Sequence, residues 1–314
     1  MTHSLAVFFP GQGSQSVGML DALAEVYSSV KHSFEEASDA LGRDLWSLVT
    51  RGPKEDLDRT ENTQPAMLAA GIAVWRVWQQ SGGPPATLMA GHSLGEYTAL
   101  VAAGALGFAE AIRLASDRAR FMQEAVPAGA GAMAAVLGLA DEQVVALCAE
   151  QAQGEVLAAV NFNSPGQVVI AGASTAVARA IEAAKAAGAK RALLLPVSVP
   201  SHCALMRPAA ERLAERLAEV ALAMPSVPVI HNVTVAPAAD VDSLRRLLVE
   251  QLYSPVRWVE TIESVVAQGV TTALECGPGK VLTGLNKRIS DHLTTLPVFD
   301  PKTLEAALEA SSNA

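Results

Sequence analysis

The feature that most constrains the fold is the segment Gly91 to Gly95, GHSLG, which matches the pattern G-x-S-x-G. A strand-like stretch, 87–90, precedes it, and a helix-like stretch, 96–105, follows it. In proteins with this pattern the serine stands on a sharp turn between a strand and a helix, and small residues on both sides let a neighbouring chain come close. The segment therefore predicts an α/β fold with Ser93 on a strand-to-helix turn.

The composition is that of a globular protein without nucleic-acid or membrane partners. Half of the 314 residues (50%) are hydrophobic and 18% are charged, and the formal net charge of −9 has the wrong sign for neutralising phosphates. The N-terminus lacks the basic region of a signal peptide, and no apolar run reaches the roughly 18 residues of a membrane span. Three cysteines without C-x-x-C spacing favour a reducing compartment: Cys148, Cys203 and Cys276. We expect a cytoplasmic protein.

The order of elements predicts two domains. Between about 131 and 197 the pattern is strand, helix, strand, strand, helix, strand, which is the order of a ferredoxin-like unit. Longer α/β elements precede and follow it, including a helix predicted to begin after Pro65. We expect a large α/β-hydrolase-like domain made of residues 1–128 and 198–314, with a small ferredoxin-like α+β domain, residues 129–197, inserted into it.

Ser93 is a candidate nucleophile for acyl chemistry. On such a turn the N–H of the next residue, Leu94, points at the oxyanion that forms during acyl transfer, and the start of the helix favours negative charge there. Gln12 stands in a tight loop after the first strand, a position from which α/β enzymes supply a second oxyanion donor. The alternative for the segment is a glycine-flanked turn that merely contains a serine.

A serine hydroxyl needs a nearby base, and the sequence contains six histidines. His202 directly follows the inserted segment in the stretch VPSH, 199–202, at a junction that borders a cleft, and we predict that it is the base. His92 adjoins Ser93, but neighbouring side chains on a sharp turn point apart, and His231 at a strand end is a weaker candidate. The remaining histidines are expected on the surface: His3, His32 and His292.

No acidic residue fits the third position of a catalytic triad. An α/β-hydrolase carries an Asp or Glu in a loop between its serine and its histidine. Here the acidic residues between Ser93 and His202 fall inside helical patterns or begin a helix of the inserted segment. The sequence therefore predicts a Ser-His dyad whose imidazole is oriented by another group, for which a backbone carbonyl is suitable.

Arg118 lies in the apolar stripe of the predicted helix 108–125. A buried guanidinium is costly without a partner, so a protein carboxylate or a ligand anion should meet it. A ligand carboxylate suits it, because the guanidinium fork engages both carboxylate oxygens. The alternative is an arginine that reaches solvent or pairs within the protein. Its apolar neighbours are Ala111, Leu114, Ala115, Phe121, Met122 and Ala125.

Two glycine-rich stretches match nucleotide-binding loops only in part. FPGQGSQ, 9–15, follows a strand, but Ser16 occupies the third glycine position of a dinucleotide fingerprint. In GPGK, 277–280, the lysine is followed by Val281 instead of Ser or Thr. No spacing of His, Cys, Asp or Glu indicates a metal site. We expect no cofactor and no metal.

Five motifs in order resemble bacterial malonyl-CoA:acyl carrier protein transacylases. They are FPGQGSQ at 9–15, GHSLGEY at 91–97, NFNSPGQ at 161–167, VPSH at 199–202 and ECGPGK at 275–280. The resemblance extends from residue 5 to about residue 290 and is far more specific than the serine turn alone. It implies transfer of a malonyl group from malonyl-CoA to acyl carrier protein in fatty acid biosynthesis, through a malonyl-serine intermediate and with release of coenzyme A.

The resemblance implies a role for each candidate residue: Ser93 as nucleophile, His202 as base, Arg118 as anchor of the malonyl carboxylate, and Gln12 with the Leu94 amide as oxyanion hole. It also implies that the backbone carbonyl of the residue at position 251, Gln251, orients the histidine. This would explain the missing acid. We also expect the protein to be a monomer.

The acidic carrier protein requires a local basic patch on a chain of net charge −9. The best candidates are two pairs, Lys190 with Arg191 and Lys287 with Arg288. Ordinary solvated charges are the alternative for either pair.

Other functions remain open at this point. A polyketide acyltransferase is the closest, although Leu94 after the serine and Ser201 before the histidine look like the fatty-acid type. A serine thioesterase would share the nucleophile, but the apolar setting of Arg118 and the missing acid argue against it. A docking module without activity would be favoured by loss of Ser93 or His202, and both are present.

Overall fold

The computed structural model describes residues 4–197 and 199–312 of the chain. His3 and Ser198, the first residue of the second predicted segment of the large domain, lie outside the described residues. The strands are β1 (Leu5–Phe9), β2 (Leu88–Gly91), β3 (Gly131–Leu137), β4 (Leu157–Ser164), β5 (Gln167–Ala173), β6 (Arg191–Leu194), β7 (Val229–Ile230), β8 (Thr272–Cys276) and β9 (Thr294–Val298).

The α-helices are α1 (Asp21–Val26), α2 (Ser28–Leu41), α3 (Leu45–Arg51), α4 (Lys54–Leu57), α5 (Thr60–Gln80), α6 (Leu94–Ala102), α7 (Phe108–Glu124), α8 (Asp141–Ala152), α9 (Ser174–Ala186), α10 (Arg207–Ala218), α11 (Val241–Glu250), α12 (Trp258–Ala267), α13 (Val281–Ile289) and α14 (Pro301–Ser312). A single 3₁₀ turn, Ala204–Met206, precedes α10. Among the helices described here, none has the length and apolar character needed to cross a bilayer.

Both ends of the chain build one parallel sheet of five strands in the order β7-β2-β1-β8-β9. Every residue of β1 and β2 is buried, as expected for central strands covered by helices on both faces. In a parallel sheet the carboxyl ends of all strands lie at one edge. The loops that follow β1, β2 and β7 therefore emerge side by side, and they carry Gln12, Ser93 and Asn232.

The central segment forms a second, antiparallel sheet of four strands in the order β4-β5-β3-β6. Helices α8 and α9 cover one face of it and bury a separate apolar cluster that includes Val136, Val168 and Ile170. The predicted mixed α/β architecture is confirmed at this level, with one parallel sheet and one separate antiparallel sheet.

Two backbone hydrogen bonds attach the antiparallel sheet to the rest of the chain. The N–H of Val256 donates to the carbonyl of Val160 at 2.8 Å, and the N–H of Phe162 donates to the carbonyl of Val256 at 3.0 Å. Strand β4 is thereby tied to the segment that leads into α12. This attachment fixes one wall of the cleft between the two sheets.

Helix α5 begins earlier than the sequence indicated. The prediction that it begins after Pro65 is wrong: the helix begins at Thr60 and contains Pro65. A proline lacks the N–H that would bond the carbonyl four residues earlier, here that of Glu61. The Nη2 of Arg43 donates to that carbonyl at 2.9 Å and so supplies the missing donor. The longer helix brings Gln64 within reach of Arg118.

Candidate active site

Ser93 occupies the strand-to-helix turn that its motif predicted. Strand β2 ends at Gly91, helix α6 begins at Leu94, and Ser93 between them has φ 53° and ψ −109°. The flanking glycines are required by space: a Cβ on Gly95 would lie 2.0 Å from the carbonyl oxygen of Phe9, and one on Gly91 would lie 1.9 Å from the carbonyl carbon of Gly95. The turn can form only because these two side chains are absent.

The hydroxyl of Ser93 is hydrogen-bonded to a histidine, and that histidine is held by a backbone carbonyl. The Oγ of Ser93 lies 2.8 Å from Nε2 of His202, whose Nδ1 lies 2.8 Å from the carbonyl oxygen of Gln251. Since a carbonyl can only accept, Nδ1 carries the hydrogen and Nε2 presents its lone pair to the serine. The arrangement is a dyad of the kind that the missing acid predicted.

His202 is kept neutral by its surroundings. The side chain is buried, and its burial, together with the positive charge of Arg118, lowers the pKa of His202 to about 3. The hydrogen bond to Gln251 acts in the opposite direction but is the smaller effect. A neutral imidazole is the form that can take a proton from a hydroxyl.

Arg118 reaches the same site from α7 and has no acidic partner in contact. It is 1% exposed, and its Nη1 donates to Oε1 of Gln64 at 2.7 Å. Its Nη2 donates to Oε1 of Gln251 at 3.0 Å and to Oγ of Ser93 at 3.4 Å, while its Nε has no partner. Over residues 4–197 and 199–312, no carboxylate lies within ion-pair distance of this guanidinium.

The guanidinium of Arg118 is a buried cation whose hydrogen-bond partners are all neutral groups. Burial lowers the pKa of its guanidinium, whereas Tyr97 and the carboxylate of Glu96 raise it. The guanidinium carbon lies 5.3 Å from the centre of the Tyr97 ring. Amide oxygens and an aromatic ring compensate a buried cation only in part. An anion that enters the site would therefore gain a charge-assisted partner beside the serine.

Gln12 and Leu94 carry N–H donors at the border of the cavity that contains Ser93. Leu94 is the first residue of α6, so its N–H lies at the positive end of the helix. Gln12 lines the same cavity, and its Oε1 accepts a hydrogen bond from Thr60 Oγ1 at 3.1 Å. With the oxygen engaged, the amide nitrogen of Gln12 is the group left to donate to a ligand.

These groups surround a cavity of about 120 Å³ between the two sheets. Polar groups line its floor and apolar side chains from the antiparallel sheet and the segments beside it line its wall. The floor contains Gln12, Gln64, Ser93, Arg118 and His202, and the wall contains Met133, Leu195, Val197 and Val199. In the described part of the chain, no group of three or more His, Cys, Asp or Glu could hold a metal ion.

None of the other described histidines is hydrogen-bonded to the Ser93 hydroxyl. The Nε2 of His92 lies 2.8 Å from Oδ1 of Asn163 on β4, so its contact is with the antiparallel sheet. The Nδ1 of His231 bonds Oε1 of Glu96 at 2.8 Å. His32 and His292 are exposed. Of the five histidines that the structure describes, His202 is the one bonded to the serine.

Sequence reasoning missed three side chains that contact the site. Gln64 bonds Arg118, Asn232 bonds the backbone of Ser93, and the side chain of Gln251 bonds both. Asn232 follows the strand that the sequence placed before His231, but its position beside Ser93 depends on the pairing of β7 with β2, which no local pattern indicates. Gln64 carried no signal, because the helix was predicted to begin after it.

The four basic residues proposed for carrier docking are exposed and lie at one end of the antiparallel sheet. Leu137 at the end of β3 pairs with Arg191 on one side and with Gln167 on the other. The Nη1 of Arg288 donates to Oε1 of Gln167 at 2.7 Å. Lys190 and Lys287 are the chain neighbours of these arginines. The two pairs, distant in sequence, therefore share one region of the surface.

Comparison with known proteins identifies the family. Residues 7–295 match the acyl transferase domain family. The malonyl CoA-acyl carrier protein transacylase of Salmonella typhimurium is 58% identical over 303 residues, which cover 96% of this chain and 98% of that protein. An acyl carrier protein S-malonyltransferase from Vibrio cholerae O1 biovar eltor has a TM-score of 0.94 at 58% identity, covering 96% of this chain and 99% of that chain.

A third relative was solved with a partner bound. It is a malonyl-transacylase, PlMCAT, in complex with AntF, a type II PKS acyl-carrier protein in its holo form. Its TM-score is 0.96 at 56% identity, and the match covers 98% of this chain and 99% of that chain. On the family match and on these identities over nearly the whole length, the chain belongs to the malonyl CoA-acyl carrier protein transacylases of the acyl transferase domain family.

Proposed function

We propose that this enzyme moves the malonyl group of malonyl-CoA to the pantetheine thiol of an acyl carrier protein in fatty acid biosynthesis, through a malonyl ester of Ser93. One observation carries the proposal: a serine hydroxyl 2.8 Å from a neutral histidine lies next to a buried arginine that has no acidic partner. The dyad supplies a nucleophile, and the arginine supplies a site for an acyl group that ends in a carboxylate.

The first half of the reaction acylates the serine. Nε2 of His202 takes the proton of Ser93 Oγ, and Oγ attacks the carbonyl carbon of the malonyl thioester. The resulting oxyanion accepts hydrogen bonds from the Leu94 N–H and the Gln12 amide, while the Gln251 carbonyl stabilises the imidazolium through Nδ1–H. The carbon–sulfur bond then breaks, and His202 gives its proton to the leaving coenzyme A thiolate.

The second half reverses these steps with a different thiol. The pantetheine thiol of the carrier gives its proton to His202 and attacks the ester carbonyl. The carbon–oxygen bond to Ser93 breaks, and the serine oxygen takes the proton back from His202. Thioester is exchanged for thioester, so the sequence is a ping-pong transfer that requires neither metal nor redox cofactor.

Arg118 selects the acyl group in this account. Its Nη2 lies 3.4 Å from the nucleophilic oxygen, close enough for a carboxylate two bonds beyond the reacting carbonyl to meet the fork. Gln64 and Gln251 fix the plane of the guanidinium through Nη1 and Nη2. A neutral acyl group would leave the buried cation unpaired, which disfavours its binding.

The proposed domain division follows the two sheets. The large domain, 1–128 and 198–314, is assigned an α/β-hydrolase-like architecture on its strand–serine–helix turn. The small domain, 129–197, is assigned a ferredoxin-like fold, which its strand order β4-β5-β3-β6 supports. We propose a monomer as the active unit, since Ser93, His202 and Arg118 meet within a single chain. The free thiols of Cys148, Cys203 and Cys276 are compatible with a cytoplasmic enzyme.

The carrier is proposed to dock on the exposed basic residues at the end of the antiparallel sheet, the two pairs Lys190 with Arg191 and Lys287 with Arg288. Charge complementarity with an acidic carrier supports this position. Service to a polyketide carrier is the second candidate, since the relative PlMCAT was solved with a carrier of that class. Both carriers present the same pantetheine thiol, so the chemistry at Ser93 is the same for either.

Discharge of the malonyl-enzyme tests the proposed acceptor. The enzyme is charged with malonyl-CoA, freed of excess substrate, and mixed either with buffer or with the holo form of an acyl carrier protein, and its intact mass is followed. We expect the malonyl group to persist in buffer and to move to the carrier within seconds. Rapid loss in buffer, unaffected by the carrier, would identify a thioesterase instead.

A further inference from the structure

A buried network of three side chains lies behind the Ser93 turn and takes no part in the proton transfers described above. Asn232, His231 and Glu96 are each 0% exposed. The backbone N–H of Asn232 donates to Oε2 of Glu96 at 2.8 Å, and Nδ1 of His231 lies 2.8 Å from Oε1 of the same carboxylate. Both oxygens of Glu96 are thus occupied by the segment that follows β7.

The side chain of Asn232 bridges the two sides of the turn. Its Oδ1 accepts the N–H of Ser93 at 2.8 Å, and its Nδ2 donates to the carbonyl of Gly91 at 2.7 Å. One side-chain amide therefore holds the backbone of both Gly91 and Ser93. The two bonds use opposite ends of the amide, so they fix the orientation of its plane as well.

The conformation of Ser93 needs such support. With φ 53° and ψ −109°, a residue that bears a side chain is in an unfavourable region, which persists only where neighbouring groups enforce it. Its N–H would lose its hydrogen-bond partner without Asn232. On the other side, its carbonyl accepts the Nε2 of Gln251 at 3.1 Å. Two side chains thus hold the backbone of the nucleophile, one at the N–H and one at the carbonyl.

The network also connects the turn to helix α6. Glu96 lies in the first turn of α6, and its backbone N–H donates to the carbonyl of Ser93 at 3.1 Å. Its carboxylate in turn holds Asn232, which holds the N–H of Ser93. The helix start and the loop after β7 are therefore joined through a closed ring of hydrogen bonds around the serine.

We propose that Asn232 is a positioning residue that keeps the Oγ of Ser93 aligned with Nε2 of His202, and that Glu96 holds Asn232 in place for this purpose. The inference rests on the proposed function in one respect, namely that Ser93 is the group acylated by malonyl-CoA. Asn232 touches only backbone atoms of the turn and lies outside the contacts of Arg118. Its loss should lower the rate of acylation and leave substrate binding nearly unchanged.

Single-turnover kinetics test this role. Asn232→Ala removes both bonds to the turn, whereas Asn232→Asp keeps an acceptor for the Ser93 N–H and places an oxygen against the Gly91 carbonyl. We expect the acylation rate with malonyl-CoA to fall about 100-fold in the alanine variant, as a displacement near 1 Å would cause, and about 10-fold in the aspartate variant. The KM for malonyl-CoA should stay within about threefold of the wild-type value in both.

Asn286→Ala is the matched control. Asn286 is also 0% exposed and makes two side-chain hydrogen bonds, to Trp258 at 2.9 Å and to Thr295 at 3.1 Å, away from the turn. Asn286→Ala should lower the urea midpoint of unfolding about as much as Asn232→Ala does, while its acylation rate should stay at the wild-type value. Equal loss of acylation in Asn286→Ala and Asn232→Ala would show a general structural effect and overturn the proposal.

A neutral sulfonyl fluoride separates this proposal from the proposed function. The reagent labels an activated serine without needing the arginine or a thioester, and its rate should fall in the Asn232 variants by the same factors as acylation. If malonyl-CoA fails to label the wild type while the sulfonyl fluoride labels Ser93, the proposed function fails and the positioning role is still decided. If Asn232→Ala does not fold, the labelling rate of Asn232→Asp is the test of the positioning role. A wild-type labelling rate in Asn232→Asp would then refute that role.

Discussion

The Nη2 of Arg118 lies 3.4 Å from the Oγ of Ser93, although the guanidinium contacts no carboxylate within the described residues. A buried arginine commonly neutralises a buried acid, but here its contacts are the amide oxygens of Gln64 and Gln251 and the serine hydroxyl. We propose that this cation, which no carboxylate of the described residues contacts, is a specificity element for an acyl group that brings its own carboxylate.

Replacement of Arg118 should change the choice of substrate. Removing one partner of a charge-assisted pair in a partly dry cleft costs about 2–5 kcal/mol, or roughly 30-fold to several thousand-fold in kcat/KM. Arg118→Ala should lose that factor for malonyl-CoA and spare or improve acetyl-CoA, while Arg118→Lys recovers only part of the loss. The measurement is the ratio of the two kcat/KM values in each variant.

Arg113→Ala supplies the control for this experiment. Arg113 lies on the same helix α7 and is paired with Glu110 at the surface, with 46% of its side chain exposed. The variant Arg113→Ala should leave the ratio of kcat/KM for malonyl-CoA to kcat/KM for acetyl-CoA at the wild-type value. Equal losses for both substrates in Arg118→Ala would mean that the arginine supports the structure or the chemistry in general.

The serine–histidine dyad should stay active well below the usual titration range of histidine. Burial and Arg118 lower the pKa of His202 to about 3, so the imidazole stays neutral as the pH falls from 8 to 5. The rate at which a neutral sulfonyl fluoride labels Ser93 should be nearly constant over this range, because the reagent carries no titrating group. A fall by half near pH 6.5 would contradict the assignment of a neutral, buried base.

The imidazole of His202 also makes the stability of the fold depend on pH. In the unfolded chain a histidine takes up its proton near pH 6.5, whereas in the folded protein the pKa of His202 is about 3. The unfolded state therefore binds more protons between these values, and stability falls as the pH drops below about 6.5. Between pH 7 and pH 5 the urea midpoint of His202→Asn should fall less than that of the wild type. Equal slopes would contradict the lowered pKa.

The space around two glycines, one at the Ser93 turn and one in α13, predicts opposite effects on stability when each is replaced by alanine. A Cβ on Gly95 would meet the backbone carbonyl of Phe9 at 2.0 Å, so Gly95→Ala should lose about 3 kcal/mol or more of unfolding free energy. A Cβ on Gly284, inside α13, would meet nothing within 4 Å, and Gly284→Ala should gain about 0.5–1 kcal/mol. Urea unfolding measures both. A tolerated Gly95→Ala would contradict the close approach of β1 to α6.

Charge reversal should locate the docking surface. Reversal to glutamate of one pair, Lys190 with Arg191 or Lys287 with Arg288, should raise the KM for the carrier protein several-fold. It should also weaken the dependence of this KM on salt, because the attraction that salt screens is lost. Self-malonylation by malonyl-CoA should be unchanged. Lys31→Glu with Lys302→Glu, on α2 and α14, changes the net charge equally at other exposed positions and should leave the KM unchanged. Unaltered carrier kinetics in the first two variants would place docking elsewhere.

Local patterns in the sequence were sufficient for the central dyad. The turn at Ser93 requires glycines at fixed offsets, and His202 lies at a junction between segments of different pattern, so both could be found from their neighbours along the chain. The absence of a suitable acid pointed to a backbone carbonyl, and the structure has the Gln251 carbonyl at that position. The first two inferences depend on a few consecutive residues, whereas the missing acid required the whole stretch between Ser93 and His202, and the choice of Gln251 came from the family resemblance.

The surrounding contacts could not be found in the same way, because they join residues that are far apart in the chain. Asn232 and Ser93 are separated by 139 positions, and Gln64 and Arg118 by 54. The strand before Asn232 could be predicted, since His231 was placed at a strand end, but its pairing with β2 joins segments that are far apart in the chain. The second pair depends on a helix that continues through Pro65, where Arg43, from the loop between α2 and α3, donates to the carbonyl that the proline leaves unbonded.

The most direct test of the account is the mass of the enzyme after exposure to malonyl-CoA. Ser93 alone occupies the turn beside His202 and Arg118, so one malonyl group should be added to each chain, peptide mapping should place it on Ser93, and Ser93→Ala should remain unmodified. A second malonyl group should not appear at longer times. Labelling that persists in Ser93→Ala, or that maps to the buried thiol of Cys203, would contradict the account.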